Sequence, residues 1–217
     1  MNILYIISTL SFFILGGYSI YDDYINRNNL DSKKIQIKTV QHLKSIYIKI
    51  YKLVLFNMLI VTYLLSLFSY SILDSQQKSF ESFNILYELF YFFVLHRYLV
   101  DVFFYIFHYI FHTKYLKNFH LIHHTIHEPI GISAFYSHPI DFVFGNIFPL
   151  FLPCFIFKCH LYTMCLIIIS TLHQTIFVGH SGNSNFSEFH DNHHKHYIVN
   201  YGTNAFMDKL FNTYKLT

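Results

Sequence analysis

Residues 83–111 form one almost unbroken apolar run, and it closes on two histidines, His108 and His112. An α-helix needs about 20 apolar residues to cross the hydrocarbon core of a bilayer. This run is long enough to span and still carry its last turns out of the apolar layer. Three more stretches repeat the pattern, at 3–20, 53–73 and 139–179. The last is interrupted by Pro149, Pro153, Lys158 and His160, and its length suits a helical hairpin. In lipid, backbone polar groups must be paired within the chain, and runs of this kind do so as helices. Only 12% of the 217 residues are charged, about half the share usual in a soluble domain. The expected fold is all-α: an integral membrane helical bundle of about four to five spans, with a histidine-rich helical cap on its cytosolic face.

Between the spans the chain is polar and basic. The segment 21–50 carries Arg27, Lys33, Lys34, Lys38, Lys44 and Lys49, and a short polar turn occupies 74–82. Short loops rich in Lys and Arg stay on the cytosolic side. Two spans further on, 113–128 returns to that side with Lys114 and Lys117, and the hairpin brings back a polar, membrane-proximal tail with Lys195, Lys209 and Lys215. The run at 3–20 lacks the cationic start and small-residue cleavage site of a secretory signal, so it reads as a retained first helix. The organisation expected is 1–82 as N-terminal membrane helices with a basic cytosolic loop, and 83–217 as a second, histidine-rich domain. A net charge of +3 without a dense Lys/Arg block argues against nucleic acid as a partner. Cys154, Cys159 and Cys165 share one apolar stretch and read as small apolar residues rather than a disulfide framework.

Of 16 histidines, 15 lie at or after His96. Three clusters stand out: His108-x3-His112, His120-x2-His123-His124 and His190-x2-His193-His194. On a helix, positions i and i+4 are about 40° apart, and i+3 shares their face. The spacing predicts that each H-x-x-H-H offers three imidazoles to one point. Eight imidazoles exceed the three or four that a mononuclear zinc site takes and suit two neighbouring metals. Packed together without a ligand, they would be costly near a membrane. Imidazole serves iron, copper, zinc and nickel alike, so spacing does not choose the metal, and zinc stays open as an occupant.

His138 and His180, at the two ends of the hairpin, are candidates to complete the coordination. His127, His173 and His196 are weaker candidates, and His42, His96 and His160 read as ordinary polar residues. Imidazole ligands need acceptors on their other nitrogen. Asp101, Tyr105, Asp141, Asp191, Asn192 and Asp208 are placed in sequence to provide them.

These residues resemble the fatty acid hydroxylase and sterol desaturase superfamily of membrane di-iron enzymes. The resemblance runs from Asp101 to Thr213: D-V-F-F-Y-I-F-H-Y-I-F-H (101–112), H-L-I-H-H (120–124), S-H-P-I-D (137–141), H-S-G-N (180–183), H-D-N-H-H-K-H-Y-I-V-N-Y-G (190–202) and M-D-K-L-F-N-T (207–213). Tyr109 stands where the family commonly has Arg, and Phe104 and Phe206 stand at common Trp positions.

The resemblance implies two iron ions held by His108, His112, His120, His123, His124, His138, His180, His190, His193 and His194. It implies residence in the endoplasmic reticulum, with the clusters facing the cytosol. It also implies a sterol or fatty-acyl substrate, O2, and electrons from a cytochrome b-type protein or a reductase. The activity expected is hydroxylation or oxidation of that lipid. Desaturation at the same metal site and a non-catalytic metal-binding membrane protein are the alternatives.

Overall fold

A computed structural model describes residues 3–26, 40–67, 84–127, 129–182 and 188–216. Among these residues the chain is helical, with no strand. We label the helices α1 (Ile3–Asn26), α2 (Gln41–Leu67), α3 (Ile85–Phe111), α4 (Lys117–His124), α5 (Pro139–Ile156), α6 (Leu161–Gly179), α7 (Glu188–His196) and α8 (Phe206–Leu210). Five of them, α1, α2, α3, α5 and α6, are long and apolar enough to cross a membrane, so the all-α membrane bundle stands.

The second span begins earlier than the apolar run at 53–73 suggests. Leu43, Ile46, Ile50 and Val54 recur every three or four residues and are buried. One apolar stripe is enough to make a helix that carries Lys44, Lys49 and Lys52 on its outer side. The end of the expected span at 73, the turn at 74–82 and the basic residues Arg27, Lys33, Lys34 and Lys38 lie outside the described residues.

The stretch 139–179 does fold as a hairpin. Its turn runs through Lys158, in the left-handed region at φ 51°, to His160, whose Nδ1 accepts from the N–H of Tyr162 at 3.3 Å. Buried Glu88 on α3 accepts from the N–H of His160 with both oxygens, at 3.0 and 3.1 Å.

Four spans contain one wide, π-helical turn: Phe56–Val61, Tyr91–Leu95, Phe142–Ile147 and Gln174–Gly179. Such a turn holds an extra residue and rotates the helix beyond it, often beside a functional site. Here the first carries Asn57, the third follows Asp141 and the last ends at His180.

Packing joins the two halves of the chain. α1 packs on α6 and on a buried 3₁₀ turn, Gly131–Phe135. A Cβ on Gly131 would collide with the Ser19 hydroxyl and come within 2.8 Å of Ile176, so the close approach of three segments requires glycine there. Lys49 of α2 reaches the carbonyl of Thr125, just past α4, at 3.3 Å. The end of α3, the start of α5, the end of α6 and the N-terminal half of α2 thus gather at one end of the bundle, around α4 and α7. The tail is more closely engaged than its polarity suggests, because α8 packs on α3.

Candidate metal centre

Nine histidines converge where α3 stops. The ligand nitrogens of His108, His112, His120, His124 and His193 all lie within 4.8 Å of one another, and those of His123, His180, His190 and His194 form a second such group. Each H-x-x-H-H segment is therefore divided between two points rather than aimed at one. The reason is angular. Positions i and i+4 differ by about 40°, but i+3 and i+4 differ by about 100°. His120 and His124 face the first group while His123 turns to the second; His190 and His194 face the second while His193 turns to the first.

Inside the groups, Nε2 faces Nε2. His108 and His120 are 3.0 Å apart, as are His120 and His124; His112 and His193 are 3.1 Å apart, as are His124 and His193. In the second group His190 and His194 are 3.1 Å apart, and His123 and His180 3.4 Å. Four of the outward nitrogens are held by acceptors. His108 Nδ1 donates to the carbonyl of Tyr201 and His193 Nδ1 to that of Val199, both at 2.7 Å. His120 Nδ1 donates to the carboxylate of Asp141 at 2.9 Å, and His123 Nδ1 to the carbonyl of Tyr136 at 3.4 Å. The Nδ1 atoms of His124, His180 and His194 are buried without a hydrogen-bond partner.

This pattern fixes the chemistry. A carbonyl or carboxylate oxygen accepts, so each held Nδ1 carries the proton and the opposite Nε2 is a lone pair. His108 and His120 then point two lone pairs at each other across 3.0 Å, which no hydrogen bond can join. A shared cation resolves the repulsion. The spacings of 3.0 to 3.4 Å are short enough for neighbouring nitrogens to hold one ion at about 2.1 Å each. The donor set is imidazole throughout, so it fits iron, copper, zinc or nickel.

Burial keeps the imidazoles neutral. It pushes His112 down to about 3, with help from His120 and His123. It pushes His120 down to about 3 on its own, and His123 down to about 4 with help from His120. Burial first, and then neighbouring imidazoles, hold His124, His180, His190, His193 and His194 well below the usual histidine range. At neutral pH all eight are uncharged and ready to bind metal.

Two buried carboxylates build the wall behind the first group. Asp101 accepts from the N–H groups of Thr203, Asn204 and Met207 at 2.6 to 2.8 Å. Asp208 accepts from the N–H groups of Tyr201 and Gly202 and from the Thr213 hydroxyl, at 2.6 to 2.8 Å. Gly202 sits between them, where a Cβ would come within 2.5 Å of Asp101 and 2.9 Å of Asp208. The two carboxylates thereby set the loop whose carbonyl at Tyr201 holds His108.

His138 stands in neither group. It is the N-cap of α5, accepting from the N–H of Ile140 at 3.2 Å, with its ring 4.7 Å from that of Phe119. The proline at 139 starts a helix, and the histidine before it serves that helix end. His127 and His173 are exposed, His196 lies 3.4 Å from Lys215, and His96 contacts the carbonyl of Leu150 at 3.2 Å.

Asn57, which sequence reading passes over, is fully buried and donates to the carbonyls of Phe135 and Ser137, each at 2.9 Å. These flank Tyr136, the acceptor for His123. A lone amide in an apolar span was the available signal.

A model of the fatty acid hydroxylase family matches residues 83–213, more than half of the chain. No solved structure matches it.

Proposed function

The chain belongs to the fatty acid hydroxylase family, and from that premise we propose that it is a membrane-bound di-iron oxygenase. It hydroxylates or oxidises a sterol or fatty-acyl lipid with O2 and external electrons. The observation that carries this reading is the convergence of Nε2 atoms, five imidazoles in one group and four in the other. These nine histidines are the ligands we assign, with the first group taking one iron and the second the other.

The chemistry supplied by bound iron is activation of O2 for attack on an unactivated C–H bond. The rest falls to the chain. Asp141 and the carbonyls of Tyr136, Val199 and Tyr201 hold four imidazoles in the tautomer that presents Nε2. Burial strips water from the site and keeps the ligands neutral. A lipid approaches along the spans without leaving the bilayer, while a cytochrome b-type protein or a reductase docks from the polar side. We assign that side to the cytosol and the membrane to the endoplasmic reticulum, with the catalytic unit in 83–217 and 1–82 as its N-terminal helices.

The test is metal content of detergent-purified protein against the His123→Ala, His124→Ala double variant, which removes one ligand from each group. The expected result is about two irons per chain, lost in the variant. Reconstitution with lipid, O2 and a donor should then give a product heavier by one oxygen. Loss of two hydrogens instead would make the enzyme a desaturase. Equal metal in both proteins would overturn the assignment and favour a non-catalytic membrane protein.

A further inference from the structure

α1 and α2 meet at both ends and part in between. Near the histidine end, the rings of Tyr24 and Tyr47 stack at 6.2 Å, and the Tyr47 hydroxyl donates to Asp23 at 2.7 Å. Towards the other end, Tyr5 packs edge-on against Tyr63 at 5.3 Å and donates to the carbonyl of Leu59 at 3.3 Å. Between the joints lies a cavity of about 390 Å³, floored by Ile132 and walled by apolar and aromatic side chains. Phe13 and Tyr51 line it and are 50% and 46% exposed, so the cavity opens sideways on the face that α1 and α2 turn to the bilayer.

We propose that this slot binds one acyl chain of a membrane lipid from the leaflet nearest the histidines. Its dimensions argue for that occupant. The wall from Phe12 to Tyr24 is about 18 Å long at about 1.5 Å per residue, and one leaflet of hydrocarbon is about 15 Å deep. At about 390 Å³ the cavity has room for a chain of about a dozen carbons or more. Polarity argues the same way. The polar pair Asp23–Tyr47 lies at the interfacial end, where a headgroup would sit, and the remaining lining is apolar or aromatic.

All lining residues but Ile132 fall outside 83–213, so the slot is not part of the stretch that matches the family model. Ile132 belongs to the turn that leads to Tyr136 and so to His123, which brings the bound chain against the segment orienting the second histidine group. The proposal does not depend on that group being catalytic.

Gly17 supplies the test. A Cβ there meets nothing within 4 Å, so Gly17→Leu starts a bulky side chain in open space on the slot wall, and leucine favours helix over glycine. Full-length protein is placed in phosphatidylcholine vesicles containing a trace of phosphatidylcholine with a mid-chain diazirine, irradiated, and mapped by peptide mass spectrometry. Label should concentrate on Phe13 and Tyr51, and fall at least tenfold there in Gly17→Leu, with metal content unchanged. Gly17→Ala should label nearly as wild type.

Equal labelling of Gly17→Leu and wild type would overturn the proposal. So would label spread evenly onto Ile14 and Leu64, exposed to the bilayer outside the slot, or displacement of the label by cholesterol rather than by unlabelled phosphatidylcholine. Should Gly17→Leu lose metal, the wild-type map and its competition profile decide by themselves.

Discussion

Nδ1 of His108 donates to the main-chain carbonyl of Tyr201 across 2.7 Å, joining two residues 93 positions apart. The carbonyl is where it is because Asp208 takes the N–H of Tyr201 and of Gly202. Replacing Asp208 by Ala strands both buried donors, at about 1–3 kcal/mol each, and frees the loop from His108. We expect a lower thermal midpoint together with weakened metal retention. Thermal unfolding followed beside iron content checks this; a fallen midpoint with full metal occupancy would show the loop to be structural only.

Asp141 orients His120 directly, at 2.9 Å. Loss of such an outer partner typically weakens metal affinity about 10- to 100-fold. Asp141→Ala should show that loss in a chelator titration, and Asp141→Asn less of it, since the amide oxygen still accepts from Nδ1. His138→Ala, three residues away, should leave metal stoichiometry at the wild-type value. Removing the cap of α5 should lower stability by about 1 kcal/mol. Loss of one metal in His138→Ala would return that histidine to the ligand set.

The contrast between His138 and its neighbours marks what the sequence could tell. The five spans follow from apolar length, and the three histidine clusters from helical spacing, because both are local properties. The division of His120, His123 and His124 between two groups was in the same spacing, in the 100° between adjacent residues, but becomes visible only once partners occupy both sides. His138 has the composition of a site residue and the position of a helix cap, and only geometry separates the two. The acceptors at Tyr136, Val199 and Tyr201 are main-chain oxygens, which leave no mark in a side-chain pattern. The early start of α2 was hidden by lysines on its outer face.

Asn57 links the N-terminal helices to the second histidine group. Asn57→Leu removes two buried hydrogen bonds and leaves the carbonyls of Phe135 and Ser137 without those donors. Tyr136 lies between them, so the effect should reach His123 before any ligand of the first group. The expected outcome is metal content falling from about two towards one per chain, with the remaining ion held as in the wild type. Equal loss from both groups, or none, would break the link.

Acid should act on the folded apoprotein through the same histidines. In the unfolded chain each titrates near 6.5, whereas in the fold His112 and His120 are pushed down to about 3 and His123 to about 4. Between those limits the unfolded state binds more protons than the folded one, so stability falls as pH falls. Above about 6.5 both states are neutral at these rings and the contribution is constant. Thermal midpoints of metal-free protein should therefore be level from pH 8 to about 7 and drop increasingly below 6.5. Protons also compete with metal for Nε2, so ions should leave in the same window, removing the stabilisation that comes from binding the native state alone. A midpoint that rises on acidification from pH 6.5 to 5 would mean that the imidazoles gain protons in the fold, and would contradict a site built from buried neutral ligands.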